Sequence, residues 1–305
     1  MAIDDETRRL IEAAGLEPDA LPSDLFFSEA AEREVDRAKA EAASAAAGAA
    51  STGPAPAAGY ASALAQARAQ AEAREAAARE FPSINEIEDA RAALREAGSV
   101  AAEPLKIGVL ISGSGTNLQA LIDRIADGSL NAEIVLVVSS RPSAKGLKRA
   151  EAAGIQTLTL SKEIYADPLM ADEVIATELF RAGAQFVIMA GYMRMVHVPL
   201  LASFPNRVIN LHPALLPSFQ GAHAIADAYE RGVKVTGVTV HIANAVYDQG
   251  PIIAQEPVRV EEGWTVEELE AAIHEVEHAL YPRVVQLLAE GRVHLSDDLR
   301  VSVSA

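Results

Sequence analysis

The sequence predicts an α/β protein: a doubly wound, mostly parallel sheet preceded by a helical N-terminal extension of low complexity. Two observations carry that prediction. Short apolar runs recur from Leu105 onward (KIGVLIS, EIVLVVSS, IQTLTL, FVIMAG, RVINLH), and helix-like segments separate the early ones. Strands that are apolar on both faces need cover on both faces, which βαβ crossovers supply.

The first hundred residues have a different physics, dominated by Ala, Glu and Arg. Asp4 or Asp5 caps a short helix that Gly15 stops, and Ser28 caps a second one. GAASTGPAPAAG reads as a linker, and residues 60–80 are strong helix formers with little to bury. Pro82-Ser83 then starts a further helix, INEIEDARAALREAG, ending at Gly98. Residues 1–100 are therefore expected to be a helical, partly disordered extension without chemistry.

From Leu105 the order is strand, then NLQALIDRIADG, strand, SAKGLKRAEAAG, strand, DPLMADEVIATELFRAG, and two more strands. VTGVTVHIA and PIIAQEPVRV lie close together, so the far edge of the sheet is expected to be mixed or antiparallel. The long helix TVEELEAAIHEVEHALYPRVVQLLAEG closes the domain. The expected boundaries are 105–294 for this domain and 295–305 for a C-terminal tail.

A formal net charge of −17 over 305 residues excludes a nucleic-acid partner held by surplus Lys and Arg. Without cysteine there is no disulfide, thiolate nucleophile or Cys-based zinc site. The acidic start lacks the pattern of a secretion signal, and no apolar run reaches the roughly 18 residues of a membrane span. The expectation is a cytoplasmic protein with no membrane partner.

The first strand runs into Gly113-Ser114-Gly115-Thr116-Asn117 at its carboxyl end, where α/β sheets bind ligands. Glycines allow close backbone approach, and a helix N-terminus favours an anion. The third glycine of the dinucleotide fingerprint and the Gly-Lys-Ser/Thr of a Walker loop are both missing. Phosphate is expected, bound to neither NAD nor ATP.

VINLHPALLPSF carries the strongest signal. Asn210 and His212, two apart on a strand, project to one face at its end. Asp248, in VYDQGPII, sits on a loop that reaches the same end of the sheet. An amide and an imidazolium stabilise the oxyanion of acyl transfer, and a carboxylate manages the proton an attacking amine loses. No Gly-x-Ser-x-Gly elbow is present, which favours direct transfer without an acyl-enzyme.

KIGVLISGSGTNLQALID, AGYMRM, INLHPALLPSF, YDQGPIIAQ and EHALYP together make residues 105–294 resemble the glycinamide ribonucleotide transformylase family, folate-dependent enzymes of de novo purine synthesis. The resemblance implies Asn210, His212 and Asp248 as the catalytic trio. It implies Gly113, Ser114, Gly115, Thr116 and Asn117 around the substrate phosphate, and Glu277 facing the ribose. Tyr192, Met193, Arg194 and Val196 would line the pocket for 10-formyltetrahydrofolate, a co-substrate, with no metal. The small-molecule partners would be glycinamide ribonucleotide and the formyl folate, and a homodimer is left open. Ala222 departs from the Leu common in the family, and His223 aligns near the folate or substrate.

Other classes compete. A formyltetrahydrofolate deformylase shares the trio and fold, and GAHAIADAYERGVK would suit it. That family resembles His-His-Ser-Phe-Leu-Pro where this chain reads His212-Pro213-Ala214-Leu215-Leu216-Pro217. A methionyl-tRNA formyltransferase would need a basic RNA-binding domain. His274-Glu275-Val276-Glu277-His278 matches a zinc-protease helix, though zinc would need a third ligand. A non-enzymatic nucleotide sensor with an interaction arm is the remaining reading. Met193 and Met195 would, on composition alone, be ordinary core residues.

Overall fold

The computed structural model describes residues 83–96 and 103–304. The helices and linker expected before residue 83 lie outside the described residues. Seven strands form one sheet: β1 (Leu105–Ile111), β2 (Ala132–Ser139), β3 (Thr157–Thr159), β4 (Phe186–Met189), β5 (Val208–His212), β6 (Val235–Ile242) and β7 (Ile252–Arg259). Their order is β3-β2-β1-β4-β5-β6-β7. The first five pair in parallel, whereas β6 and β7 run antiparallel to their predecessors. The short link between β6 and β7 leaves no room for the crossover a parallel pair would need.

The helices are α1 (Ile84–Glu96), α2 (Thr116–Ala126), α3 (Lys145–Ala152), α4 (Lys162–Tyr165), α5 (Pro168–Arg181), α6 (Val198–Ser203), α7 (Ala224–Arg231) and α8 (Val266–Ala289). Alternation along β1 divides them between two layers. Ile107, Val109 and Ile111 pack with Leu118 and Leu121 of α2 and with Ile273 and Val284 of α8. Leu110 faces the other way, toward Ile175 and Leu179 of α5 and Leu200 of α6. A Cβ at Gly108 would fall 2.1 Å from Leu179 Cδ2, so only glycine lets α5 lie this close to the strand.

Local signals set the helix starts. Asp167 accepts from the Leu169 and Met170 N–H groups, with Pro168 as the first helical residue of α5. Thr265 and Glu268 form a reciprocal capping box at the start of α8.

At the N-terminal side, α1 packs into the folded unit. Ile84 and Ile87 join the larger core cluster. The Asn85 amide both donates to the Leu295 carbonyl (2.8 Å) and accepts from its N–H (3.0 Å), as a neighbouring strand would. Leu295 belongs to β8 (Val293–Leu295), which pairs with β9 (Val301–Val303). Glu88 accepts from Val293 N (2.9 Å), and Arg91 donates to the Ala289 carbonyl (2.6 Å). Burial pushes the Glu88 carboxyl up to about 8. Folded structure thus continues on both sides of 105–294. Among the described residues, no helix is long and apolar enough to cross a membrane.

Tyr281 of α8 is fully buried, and its hydroxyl donates to the carbonyls of Met189 (3.1 Å) and Ile209 (2.9 Å). It therefore ties the helix to β4 and β5 immediately before Asn210. Tyr281→Phe keeps the ring and strands the carbonyls, which should cost about 1–2 kcal/mol. A lower urea midpoint at unchanged m-value is the expected reading.

Candidate active site

β1 bonds to β2 on one side and β4 on the other, so the connections leaving their carboxyl ends diverge. Ligands bind at such switch points. A cleft of about 290 Å³ opens there, between the 112–117 loop, the segment after β4, the head of β5 and the middle of α8.

Gly115 is the N-cap of α2 at φ 70°, with no side chain capping the helix. A Cβ there would lie 2.5 Å from Gly146 Cα, so both the conformation and the contact with α3 demand glycine. Gly113 lines the cleft, and a Cβ on it would meet nothing. The first-turn N–H groups of α2 are thus left for an anion. Arg141, just past β2, also lines this cleft. It was not singled out in the sequence, although a lone basic residue past the carboxyl end of a parallel strand was a usable signal.

Asn117 and Glu277, 160 residues apart, meet in the cleft: Asn117 Nδ2 donates to Glu277 Oε2 at 2.9 Å. Asn117 Oδ1 is buried without a partner. Burial pushes the Glu277 carboxyl above its ordinary value, against the opposing pull of Asn117 and His274.

Asn210, His212 and Asp248 come together at the head of β5, joined by a residue the sequence reading missed. His241 lies opposite Asn210 in the β5–β6 ladder. Asn210 Nδ2 is 3.1 Å from His241 Nε2; an amide nitrogen only donates, so this imidazole nitrogen accepts. The second N–H of that amide has no partner among the described residues. Asp248 Oδ1 lies 3.7 Å from His241 Nε2, and Asp248 Oδ2 lies 3.4 Å from His212 Nδ1. The Gly221 N–H donates to Asp248 Oδ2 at 2.9 Å. His212 Nε2 donates to the Phe219 carbonyl at 2.7 Å. Gly250 lets the Asp248 loop lie against β6, since a Cβ there would strike the Ile242 carbonyl oxygen at 1.7 Å.

Electrostatics follow from this geometry. Burial pushes the His212 imidazole below its usual value, although Asp248 and the Phe219 carbonyl act in the opposite sense. Burial would raise the Asp248 carboxyl. His241, the Gly221 N–H and the His212 charge outweigh it and hold the group below the usual carboxylate range.

A second, small pocket of about 20 Å³ holds Arg194, Met195, Val196 and Asp248. It shares Asn210 and Tyr247 with the larger cleft. Tyr192 is buried and Met193 lines the larger cleft. Met193 is 59% exposed and Met195 39%, which removes core packing as their explanation. Within the larger cleft, Ser112 Oγ accepts from Met193 N (2.9 Å) and lies 2.6 Å from Ser140 Oγ. Ala222 lines the larger cleft; His223 is exposed at the start of α7 and lines neither pocket. The His274 and His278 rings stack with centroids 6.2 Å apart. Among the described residues no three potential ligands cluster as a metal would require, so the zinc-helix reading finds no third ligand there.

A doubly wound sheet with a glycine-rich loop and an Asn-His-Asp group at its carboxyl edge suits acyl transfer. Residues 105–285 match the formyl transferase family, and the chain belongs to that family. Within it, the chain is 37% identical over 183 residues to the phosphoribosylglycinamide formyltransferase of Bacillus subtilis, covering 60% of this chain and 94% of that protein. A crystal structure of glycinamide ribonucleotide transformylase 1 from Symbiobacterium toebii superposes with a TM-score of 0.65 at 45% identity, covering 67% of this chain and 96% of that one. The trifunctional purine biosynthetic protein adenosine-3 of Gallus gallus is 40% identical over 200 residues, 66% of this chain. The chain spans only about a fifth (20%) of that relative's length.

Because the folded-state value of Asp248 is depressed, the unfolded chain takes up this proton more readily than the native protein does. The contribution to stability is fully present above the ordinary aspartate value of about 3.9 and is lost as pH falls through the folded value. Urea midpoints measured between neutrality and acid should therefore fall less steeply for Asp248→Asn than for the unaltered protein.

Proposed function

We propose that the chain transfers the formyl group of 10-formyltetrahydrofolate to the primary amine of glycinamide ribonucleotide, in de novo purine biosynthesis. The observation that carries this reading is the Asn210–His241–Asp248–His212 chain, placed where the phosphate cleft meets the second pocket. The substrate phosphate would sit on the N–H groups of Gly113, Ser114, Gly115, Thr116 and Asn117, with Arg141 beside it. Glu277, fixed by Asn117, would take the ribose hydroxyls, and a substrate donor would satisfy the buried Asn117 Oδ1. Tyr192, Met193, Arg194 and Val196 would receive the folate. The place of action would be the cytoplasm.

In this mechanism the amine nitrogen attacks the formyl carbon, and the carbonyl oxygen becomes an oxyanion. The free N–H of Asn210 and the Nε2–H of His212 receive it, the latter exchanging the Phe219 carbonyl for the stronger acceptor. Asp248 takes up the proton the amine loses. Collapse breaks the bond from carbon to folate N10, which regains a proton and leaves as tetrahydrofolate. His241 orients Asn210 and Asp248.

The test is substitution at the two donors. His212→Ala should lower kcat by at least about 10²- to 10³-fold, and Asn210→Ala by a similar factor. Ribonucleotide binding, followed by calorimetry, should stay within a few-fold of the unaltered protein. Near-normal turnover in His212→Ala would overturn the assignment.

A further inference from the structure

The guanidinium of Arg194 lies over the ring of Tyr165, with Cζ 4.1 Å from the ring centroid. Tyr165 ends α4 and belongs to the second core cluster, with Leu160 and Ile175. Its hydroxyl reaches the Ser139 carbonyl at 3.4 Å, so the ring is held both by packing and at its tip. Asp172 lies within Coulombic range of Arg194, yet its Oδ2 is committed to the His197 backbone N–H and Nδ1. Among the described residues, no hydrogen bond or ion pair occupies the N–H edge of Arg194.

A guanidinium stacked on an aromatic face keeps its planar donor edge open, and that edge matches a carboxylate. Arg194 lines the small pocket together with Asn210 and Asp248, at the mouth of the site where the formyl donor must lie. The donor is anionic through its glutamyl carboxylates. We propose that Tyr165 is a positioning residue, a fixed plate that holds Arg194 flat so that its N–H edge pairs with a carboxylate on the tail of the formyl donor. Resting on the transferase reading of the site, this assigns donor affinity to a residue outside both pockets.

The test compares steady-state kinetics of the unaltered protein, Tyr165→Phe and Tyr165→Leu with two donors. One is 10-formyltetrahydrofolate; the other is 10-formyltetrahydropteroate, which lacks the glutamyl group. With the folate, Tyr165→Leu should raise the donor KM about three- to tenfold, the range of a cation–π contact, while kcat and the acceptor KM hold. Tyr165→Phe keeps the aromatic face and should match the unaltered protein. With the pteroate, all three should share one KM. A misfolded fraction would lower apparent kcat with both donors and leave KM unmoved. Equal KM values for the folate, or a KM increase in Tyr165→Leu that is the same for both donors, would overturn the proposal. No turnover by the unaltered protein with either donor would instead overturn the transferase reading beneath it.

Discussion

A carboxylate taken out of water must be compensated, and Asp248 sits among groups that come from three directions. The Gly221 N–H comes from the loop after β5, His212 from the end of β5, and His241 from β6. Burying an unpaired carboxylate would cost several kcal/mol, so these three elements are bound to one geometry. Asp248 adopts φ 55°, a left-handed backbone that surrounding structure must enforce. Gly250 is what permits the enforcement, because any side chain there would push the loop off β6. The β5–β6 register then sets Asn210 beside His241, and Tyr281 anchors the strands beneath.

The same logic gives a strongly acidic chain a place suited to an anion. Bulk charge would repel a phosphate, but charge acts locally once backbone dipoles and a few cations surround the site. The bare N-terminus of α2 supplies the dipole, Arg141 lines the cleft, and Arg149 braces the loop through the Ser114 carbonyl (3.0 Å). Glycine at 113 leaves the approach open, and glycine at 115 closes the loop against α3.

What the sequence disclosed and what it hid divide along locality. Parallel strands, the glycine turn after β1 and the Asn-x-His pair were legible because period, turn glycines and an out-of-place polar pair are local signals. Asp248 was legible through its Gly-Pro turn and the family resemblance. His241 was hidden because its meaning depends on which residue faces it across an antiparallel ladder, a choice set by register. Asn117 looked like a loop donor, and its partner Glu277 could not be paired with it from spacing alone. α1 was read as part of a helical, partly disordered extension because Ile84 and Ile87 declare nothing about the hairpin they cover, and β8 and β9 are too short to show a pattern. Exposure of Met193 and Met195 was likewise invisible to composition, which places methionine in cores.

The central claim is that the Asn-His-Asp group serves transfer to an amine. The most direct measurement is release of tetrahydrofolate from a 10-formyl donor, followed spectrophotometrically with and without glycinamide ribonucleotide. Turnover that depends on the ribonucleotide and yields formylated product in equal amount is the result predicted. Equal turnover without the acceptor would contradict transfer and make the same residues those of a hydrolase.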